Sequence, residues 1–286
     1  MVFTSNRMSS LASDGVRHDR SHPIVRIHES LRPLHELTGV DFIAAWFQII
    51  DAHHRAWVSG IQHKDVRLCN LMHYRRPDHS VGAMLLDWDH SLRQLESENE
   101  PILIFAEARM PDAVPFLAID LLTPDGLKGN VAVLYRHELE SFIWVLIWAV
   151  CCYDNGTMIR SAPDGMSNWN VRQPLNCGSL KHAFILRNEA IKPASDGWVY
   201  GANLAKRLVR YLGHAAIQRW QQSQDELIDQ ATPSDQATPV NQEDDDPEGV
   251  WKGFWTYLGK SSRLVPCIAE FMPKGLHKAE ADKNKQ

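Results

Sequence analysis

The stretch IQHKDVRLCNLMHY, residues 61–74, and the LLDWD that follows at residues 85–89 decide how this chain is read. Within the first lie a histidine, a carboxylate, a guanidinium and a carboxamide, at His63, Asp65, Arg67 and Asn70. Residues 71–74 and 81–86 are short strand-like runs, and the RRPDHS between them is turn chemistry, so a hairpin is expected. That hairpin returns a second carboxylate, Asp87, to the loop carrying Asp65 and Asn70. Upstream, DFIAAWFQIIDAHHRAWVS at 41–59 places Phe42, Ala45, Trp46, Ile49, Ile50 and Trp57 at helical spacing. Asp41 is its expected N-cap and Gly60 its stop. The order is helix, loop, hairpin, second aspartate.

These residue types suit phosphoryl transfer. That reaction needs a carboxylate to orient the attacking hydroxyl, oxygen ligands to hold Mg²⁺ against the phosphates, and a cation to neutralise charge on the transferred group. Asp65 supplies the first. Asn70 and Asp87 carry oxygen ligands suited to a hard cation. Arg67 can offer its guanidinium to a phosphate. His63 is expected to make the hydrogen bonds that shape the loop. His53 and His54 on the preceding helix lack the spacing of a zinc site.

The pattern resembles the protein-kinase catalytic loop, usually written HRDxxxxN, with its later Asp-Phe-Gly metal motif. His63, Asp65 and Asn70 match, and Lys64 fills the arginine slot, keeping the charge but losing the fork. Arg67 falls where serine/threonine kinases commonly carry a lysine. Asp87 falls on the metal-binding aspartate, with Trp88 and Asp89 in place of the Phe and Gly. Further on, AVPFLAIDLL at 113–122 and YRHELESFIWVLIWAV at 135–150 resemble the activation-segment end and central helix of fungal-type protein kinases. The resemblance runs from about residue 24 to residue 227, and on to about 264 in its widest reading.

The resemblance implies a mainly α fold: a protein-kinase-like C-terminal lobe with a small β-hairpin. It implies ATP and Mg²⁺ as cofactors, and transfer of the γ-phosphate to a Ser/Thr hydroxyl. Asp65 and Arg67 would be catalytic, with Asn70 and Asp87 binding the metal and its nucleotide. His63, Lys64 and Glu138 would be structural support. Glu138 stands where kinases place an aspartate that braces the catalytic-loop backbone. Kinases also carry a Gly-rich loop, a strand lysine and a helix glutamate upstream. Only 62 residues precede His63, without a GxGxxG or a VAIK-like strand. The ATP-clamping N-terminal lobe is therefore expected to be absent or vestigial, and the isolated chain to bind Mg-ATP weakly with little activity. Two other readings stand beside this one. One is a truncated pseudokinase or interaction module. The other is a small-molecule kinase of the aminoglycoside or choline type, because LLDWD also resembles their IDWE; the 113–150 region fits protein kinases better.

Composition narrows the partners. A net charge of −5 leaves no basic nucleic-acid footprint. The longest apolar run, residues 142–152, is too short for a bilayer of about 30 Å at about 1.5 Å per residue. The N-terminus has no apolar signal region. The expectation is a protein substrate or regulatory protein as partner, with no nucleic acid and no membrane. The 5 cysteines are odd in number and form no CxxC, which suits free thiols and a cytoplasmic or nuclear location.

Along the chain, residues 1–22 are an expected disordered tail and 23–228 the kinase-like lobe. DQATP occurs twice within the low-complexity acidic insertion 229–249. The lobe is completed by 250–272, and 273–286 is a charged tail. Helix 136–153 is expected to be the most buried element. Residues 90–130 and 154–200 are expected to be irregular or mixed. A helix over 204–228 is expected to share one face among Leu208, Leu212, Ala216 and Trp220.

Overall fold

A computed structural model describes residues 31–88, 111–159, 166, 168–169, 173–187, 191–231, 246–260 and 269–272. The expected tails at 1–22 and 273–286, Asp89, residues 90–110, and residues 232–245 of the acidic insertion lie outside the described residues. The fold is mainly α with a small antiparallel sheet, as expected for a kinase C-terminal lobe.

Helix α1, Gly39–Val58, turns Phe42, Trp46, Ile49, Ile50 and His53 inward. It opens at Gly39, with Thr38 as N-cap, and Asp41 lies in the first turn instead of capping it. Gly39 takes a φ of 58°, which a side chain at this entry would resist. The helix closes at Ser59, and Gly60, with φ 85°, turns the chain into the loop.

The expected hairpin is present. Strand β2, Leu71–Arg75, pairs antiparallel with β3, Val81–Leu85, in the register Leu71↔Leu85 to Arg75↔Val81. Strand β1, Arg32–Pro33, adds to the other edge of β2. Asp78 shapes the turn by accepting the Ser80 amide at 3.0 Å and its hydroxyl at 2.7 Å. Gln48 on α1 donates to the Val81 carbonyl at 3.3 Å, which seats the hairpin on the helix.

Beyond Pro111, 3₁₀ turns at Pro111–Phe116 and Ile119–Leu122 lead into a short helix α2, Pro124–Leu127. Helix α3, Tyr135–Cys152, is the centre of the molecule. All its residues but Arg136 are buried, and Phe142, Val145 and Leu146 are 0 % exposed. A helix apolar on every side must be surrounded. Trp46 ties α1 to it by donating its indole N–H to the Phe142 carbonyl at 3.1 Å.

Strands β4, Tyr153–Asp154, and β5, Thr157–Met158, make a small second ribbon. Residues 154–200, expected to be mixed, contain a full helix, α4, Pro174–Arg187. Its apolar face is short, so its periodicity is weak. Helix α5, Val199–Ala231, runs past both ends of the 204–228 expected from spacing. Leu208 and Leu212 are buried as expected, but Trp220 is 64 % exposed, at the rim of a cavity that it shares with Asp120, Glu140 and His182. Helix α6, Pro247–Gly259, starts inside the span assigned to the acidic insertion. Asp246 caps it, accepting the Gly249 amide at 2.9 Å, with Pro247 at the first helical position. Its Trp251 stacks on His54, centroids 4.3 Å apart, and Trp255 stacks on Phe47. Among the described residues no helix is long and apolar enough to cross a membrane.

Candidate active site

The loop between α1 and β2 is held from beneath by one carboxylate. Glu138, in the first turn of α3, accepts the Lys64 amide on Oε1 at 2.6 Å and the His63 amide on Oε2 at 3.3 Å. Its Oε2 also meets His53 Nε2 in a very short contact. Lys64 has a φ of 67°, a left-handed conformation that costs a non-glycine residue free energy. The paired amide acceptors of Glu138 hold it there. Burial would push the Glu138 carboxyl up, but His53, by attraction and hydrogen bond, then His63 and the Lys64 amide, outweigh it and hold it below its ordinary range.

His63 joins the loop to the hairpin. Its ring Nε2–H donates to the Leu86 carbonyl at 2.8 Å, which leaves Nδ1 to accept the Asp65 amide at 3.2 Å. Only the neutral ring with its proton on Nε2 serves both. Burial lowers the His63 pKa, with Glu138 opposing, in keeping with that form. Trp88 covers the ring edge-on at 4.7 Å and donates its indole N–H to the Leu85 carbonyl at 2.9 Å.

Asn70 fixes Asp65. Its Nδ2 donates to the Asp65 carbonyl at 2.9 Å and to Asp65 Oδ2 at 3.2 Å. Both donor contacts consume the amide nitrogen, so Oδ1 is the atom left to ligate; the Cys69 thiol approaches it at 3.6 Å. The Leu86 amide donates to the Asn70 carbonyl at 2.8 Å, continuing the hairpin ladder. Asp87 comes next, exposed and with a φ of 64°. The loop and the end of β3 are therefore joined at Asn70–Leu86 and at His63–Leu86, one residue before Asp87. This is the return that the hairpin spacing implied.

Arg67 lies with Nε 3.0 Å from Asp65 Oδ2. Its charge rests on that carboxylate in this structure, whereas the sequence reading aimed it at a phosphate. Among the described residues, no group of three or more His, Cys, Asp or Glu could hold a metal ion. The oxygen donors available here are the Asn70 carboxamide and the Asp87 carboxylate, a set that suits a hard cation completed by phosphate and water.

Over the loop lies the turn Pro111–Phe116 and its continuation. Ala113, Leu117 and Leu121 share a small cavity with Lys64, Asp65 and Val66. Asp120 pins this segment to the start of α3 through Arg136 Nη1 at 2.5 Å and His137 Nε2 at 3.4 Å. The His137 hydrogen bond first, and then Arg136, hold the Asp120 carboxyl well below the carboxylate range against the effect of burial.

Sequence reasoning weighed His53 only as a metal ligand and missed its role as the partner of Glu138. The signal was available. His53 continues the inward stripe of Trp46, Ile49, Ile50 and Trp57, and a histidine on a buried stripe needs a polar partner. Lys181 and Glu140, both buried near the segment over the loop, were also missed.

The sequence profile described as fungal protein kinase matches residues 5–150, just over half of the chain. No curated protein and no solved structure matches. The matched span holds the loop from His63 to Asn70, the returning Asp87, the segment over the loop and the Glu138 brace. The chain belongs to the fungal protein kinase family.

Proposed function

We propose that this lobe carries the hydroxyl-orienting and metal-holding half of a protein kinase site, moving the γ-phosphate of ATP to a Ser/Thr hydroxyl of a protein. The observation that supports it most is the double tie at Leu86. Through it, the backbone just before Asp87 is tied to the loop that carries Asp65 and Asn70.

Asp65 is the residue that accepts the hydroxyl proton. Asn70 and Arg67 both engage Oδ2, which orients the carboxylate and leaves Oδ1 for an incoming hydroxyl. Asn70 Oδ1 and the Asp87 carboxylate would hold Mg²⁺. When bound, Mg-ATP supplies the phosphoryl group and neutralises charge on its oxygens. Arg67, whose Nε lies 3.0 Å from Asp65 Oδ2, carries the cation that would meet such a phosphate. Protein kinases draw nucleotide grip and phosphate alignment from an upper lobe, and the described residues form no such lobe, so transfer by the described part on its own should be slow.

The test is Mg²⁺-dependent ATP binding and peptide phosphorylation by the chain, beside Asp65→Ala and Asp87→Ala. The expected result is weak binding that requires Mg²⁺ and is lost in Asp87→Ala but kept in Asp65→Ala. Binding that ignores both Mg²⁺ and Asp87, or no binding at all, would favour an interaction module instead.

A further inference from the structure

One charged side chain outside the loop is wholly buried and has no part in the chemistry above. Lys181, on α4, is 0 % exposed. Its Nζ donates to the Leu117 carbonyl at 2.6 Å. The ammonium lies 4.8 Å from the Trp144 ring centroid and 5.8 Å from that of Trp169. Two neighbours on the same helices reach the same stretch of chain. Glu140 Oε1, on α3, accepts the Ile119 amide at 2.9 Å and the Trp144 indole N–H at 2.9 Å. The Cys177 thiol, one turn before Lys181, approaches the Val114 carbonyl at 3.7 Å.

All three side chains engage backbone atoms of residues 114–119. They therefore fix the path of the segment whatever side chains it carries. That path matters because Ala113, Leu117 and Leu121 form a wall of the cavity shared with Lys64 and Asp65. A buried ammonium is costly, and a well-packed apolar side chain of similar volume is commonly no worse for stability. Keeping a lysine here calls for a role other than bulk stability.

We propose that Lys181 is a positioning residue that pins the segment 111–122 over the catalytic loop through the Leu117 carbonyl. The pin would order the shelf above Asp65 from within the fold. The proposal rests on reading that loop as the phosphoryl-transfer site and adds a positioning residue to it.

The chemistry is local. A protonated Lys181 makes a charge-assisted bond, roughly twice as strong as a neutral one, and attracts two indole faces. A neutral amine keeps one ordinary N–H···O bond and loses the rest. Burial pushes the Lys181 amine down to about 8, with Cys177 and Glu140 opposing. The charged and titratable groups facing it are Glu140 from α3 and Cys177 from α4, while the segment offers its Leu117 carbonyl. Burial pushes the Cys177 thiol up, with Lys181 opposing, so the thiol keeps its proton below pH 9.

Hydrogen exchange on the whole chain tests this, with rates corrected for the intrinsic effect of pH. Lys181→Met should fold with a melting temperature at or above that of the unmodified chain. Its amides at 114–122 should nevertheless exchange about tenfold faster at pH near 6.5. Lys181→Gln, which keeps a neutral donor but loses the charge, should loosen the same amides less than Lys181→Met. Unchanged protection of 114–122 in a folded Lys181→Met would overturn the proposal. If Lys181→Met does not fold, Lys181→Gln decides: faster exchange confined to 114–122 supports the proposal and unchanged protection there overturns it. Loss of Mg²⁺-dependent ATP binding in the unmodified chain would count against the phosphoryl-transfer reading and leave these exchange results untouched.

Discussion

Glu138 Oε1 accepts the backbone amide of Lys64 at 2.6 Å across 74 residues of sequence. The central helix thereby holds a strained residue of the loop, since Lys64 sits at φ 67°. Three donors converge on this one carboxylate, from His53, His63 and Lys64. Glu138→Ala would take the shared acceptor away from all three. It should destabilise the chain by about 3–5 kcal/mol, the range for breaking a buried charged network. Chemical denaturation measures it, and a loss below about 1 kcal/mol would show that the brace is dispensable. Glu138→Asp is shorter by one methylene and should fall between the two, with faster amide exchange at Lys64.

The sequence made the brace legible as a position, through its resemblance to kinase central helices, but not its geometry. The hairpin, the buried α3 and the return of Asp87 were legible because each rests on local periodicity or turn chemistry. Helix α4 was not, because its partners are distant: Lys181 faces Leu117, and Cys177 faces Val114. A lysine in a short helix with Gly178 within it reads as surface until the fold buries it. Trp220 erred the other way. Helical spacing puts it in line with Leu208 and Leu212, but spacing cannot say how far along that stripe the packing closes over the side chains. Arg67 shows the same limit, since which of two oxygens a guanidinium faces is settled by the loop's path.

Acid should weaken the fold in two stages. Burial first, with Glu138 opposing, lowers the His63 pKa below its ordinary 6.5, so the folded protein holds this proton less tightly than the unfolded chain. The stability that depends on neutral His63 is complete above pH about 6.5 and is lost as pH falls below it. His35, His54 and His73, lowered chiefly by burial, act in the same direction. Glu138 is lowered from 4.5 against the effect of its burial, so its contribution is complete above pH about 4.5 and is lost as pH falls through its folded value. Thermal unfolding between pH about 3 and 8 should show a plateau above 7, a shallow fall below 6.5 and a steeper one below 4.5. His63→Leu should lower the plateau and reduce the shallow fall. A curve of unchanged shape in that variant would remove His63 from the account.

Gly126 is closed in by backbone. A Cβ there would lie 2.5 Å from the Asp120 carbonyl oxygen and 2.7 Å from Leu121 backbone atoms. Neither neighbour is a flexible side chain, so the turn leading into α2 would have to move. Gly126→Ala should cost about 1–3 kcal/mol, the usual range for overpacking. Because the Asp120–Arg136 pair sits on the displaced turn, exchange at Ile119–Leu122 should also quicken. Wild-type stability in this variant would mean that the turn is more pliant than its contacts imply.

Asp87 offers a separation of stability from function. It is exposed, and its φ of 64° is a conformation that glycine adopts freely and asparagine adopts more easily than most residues. A residue kept there for its carboxylate carries a local conformational cost. Asp87→Gly relieves that cost but gives the unfolded chain more freedom, so the two effects should nearly cancel, leaving stability within about 1 kcal/mol. Asp87→Asn keeps the tolerated conformation and loses only the charge, and it too should be nearly neutral. Both should sharply weaken Mg²⁺-dependent ATP binding, since glycine offers no side-chain oxygen and an amide oxygen lacks the charge of the carboxylate. Paired melting curves and Mg²⁺-titrated nucleotide binding provide the check. Stability lost in Asp87→Asn would give the carboxylate a structural duty that its exposure does not suggest. Retained Mg²⁺-dependent binding in both variants would place the metal elsewhere, and Asn70 would then lose its proposed partner.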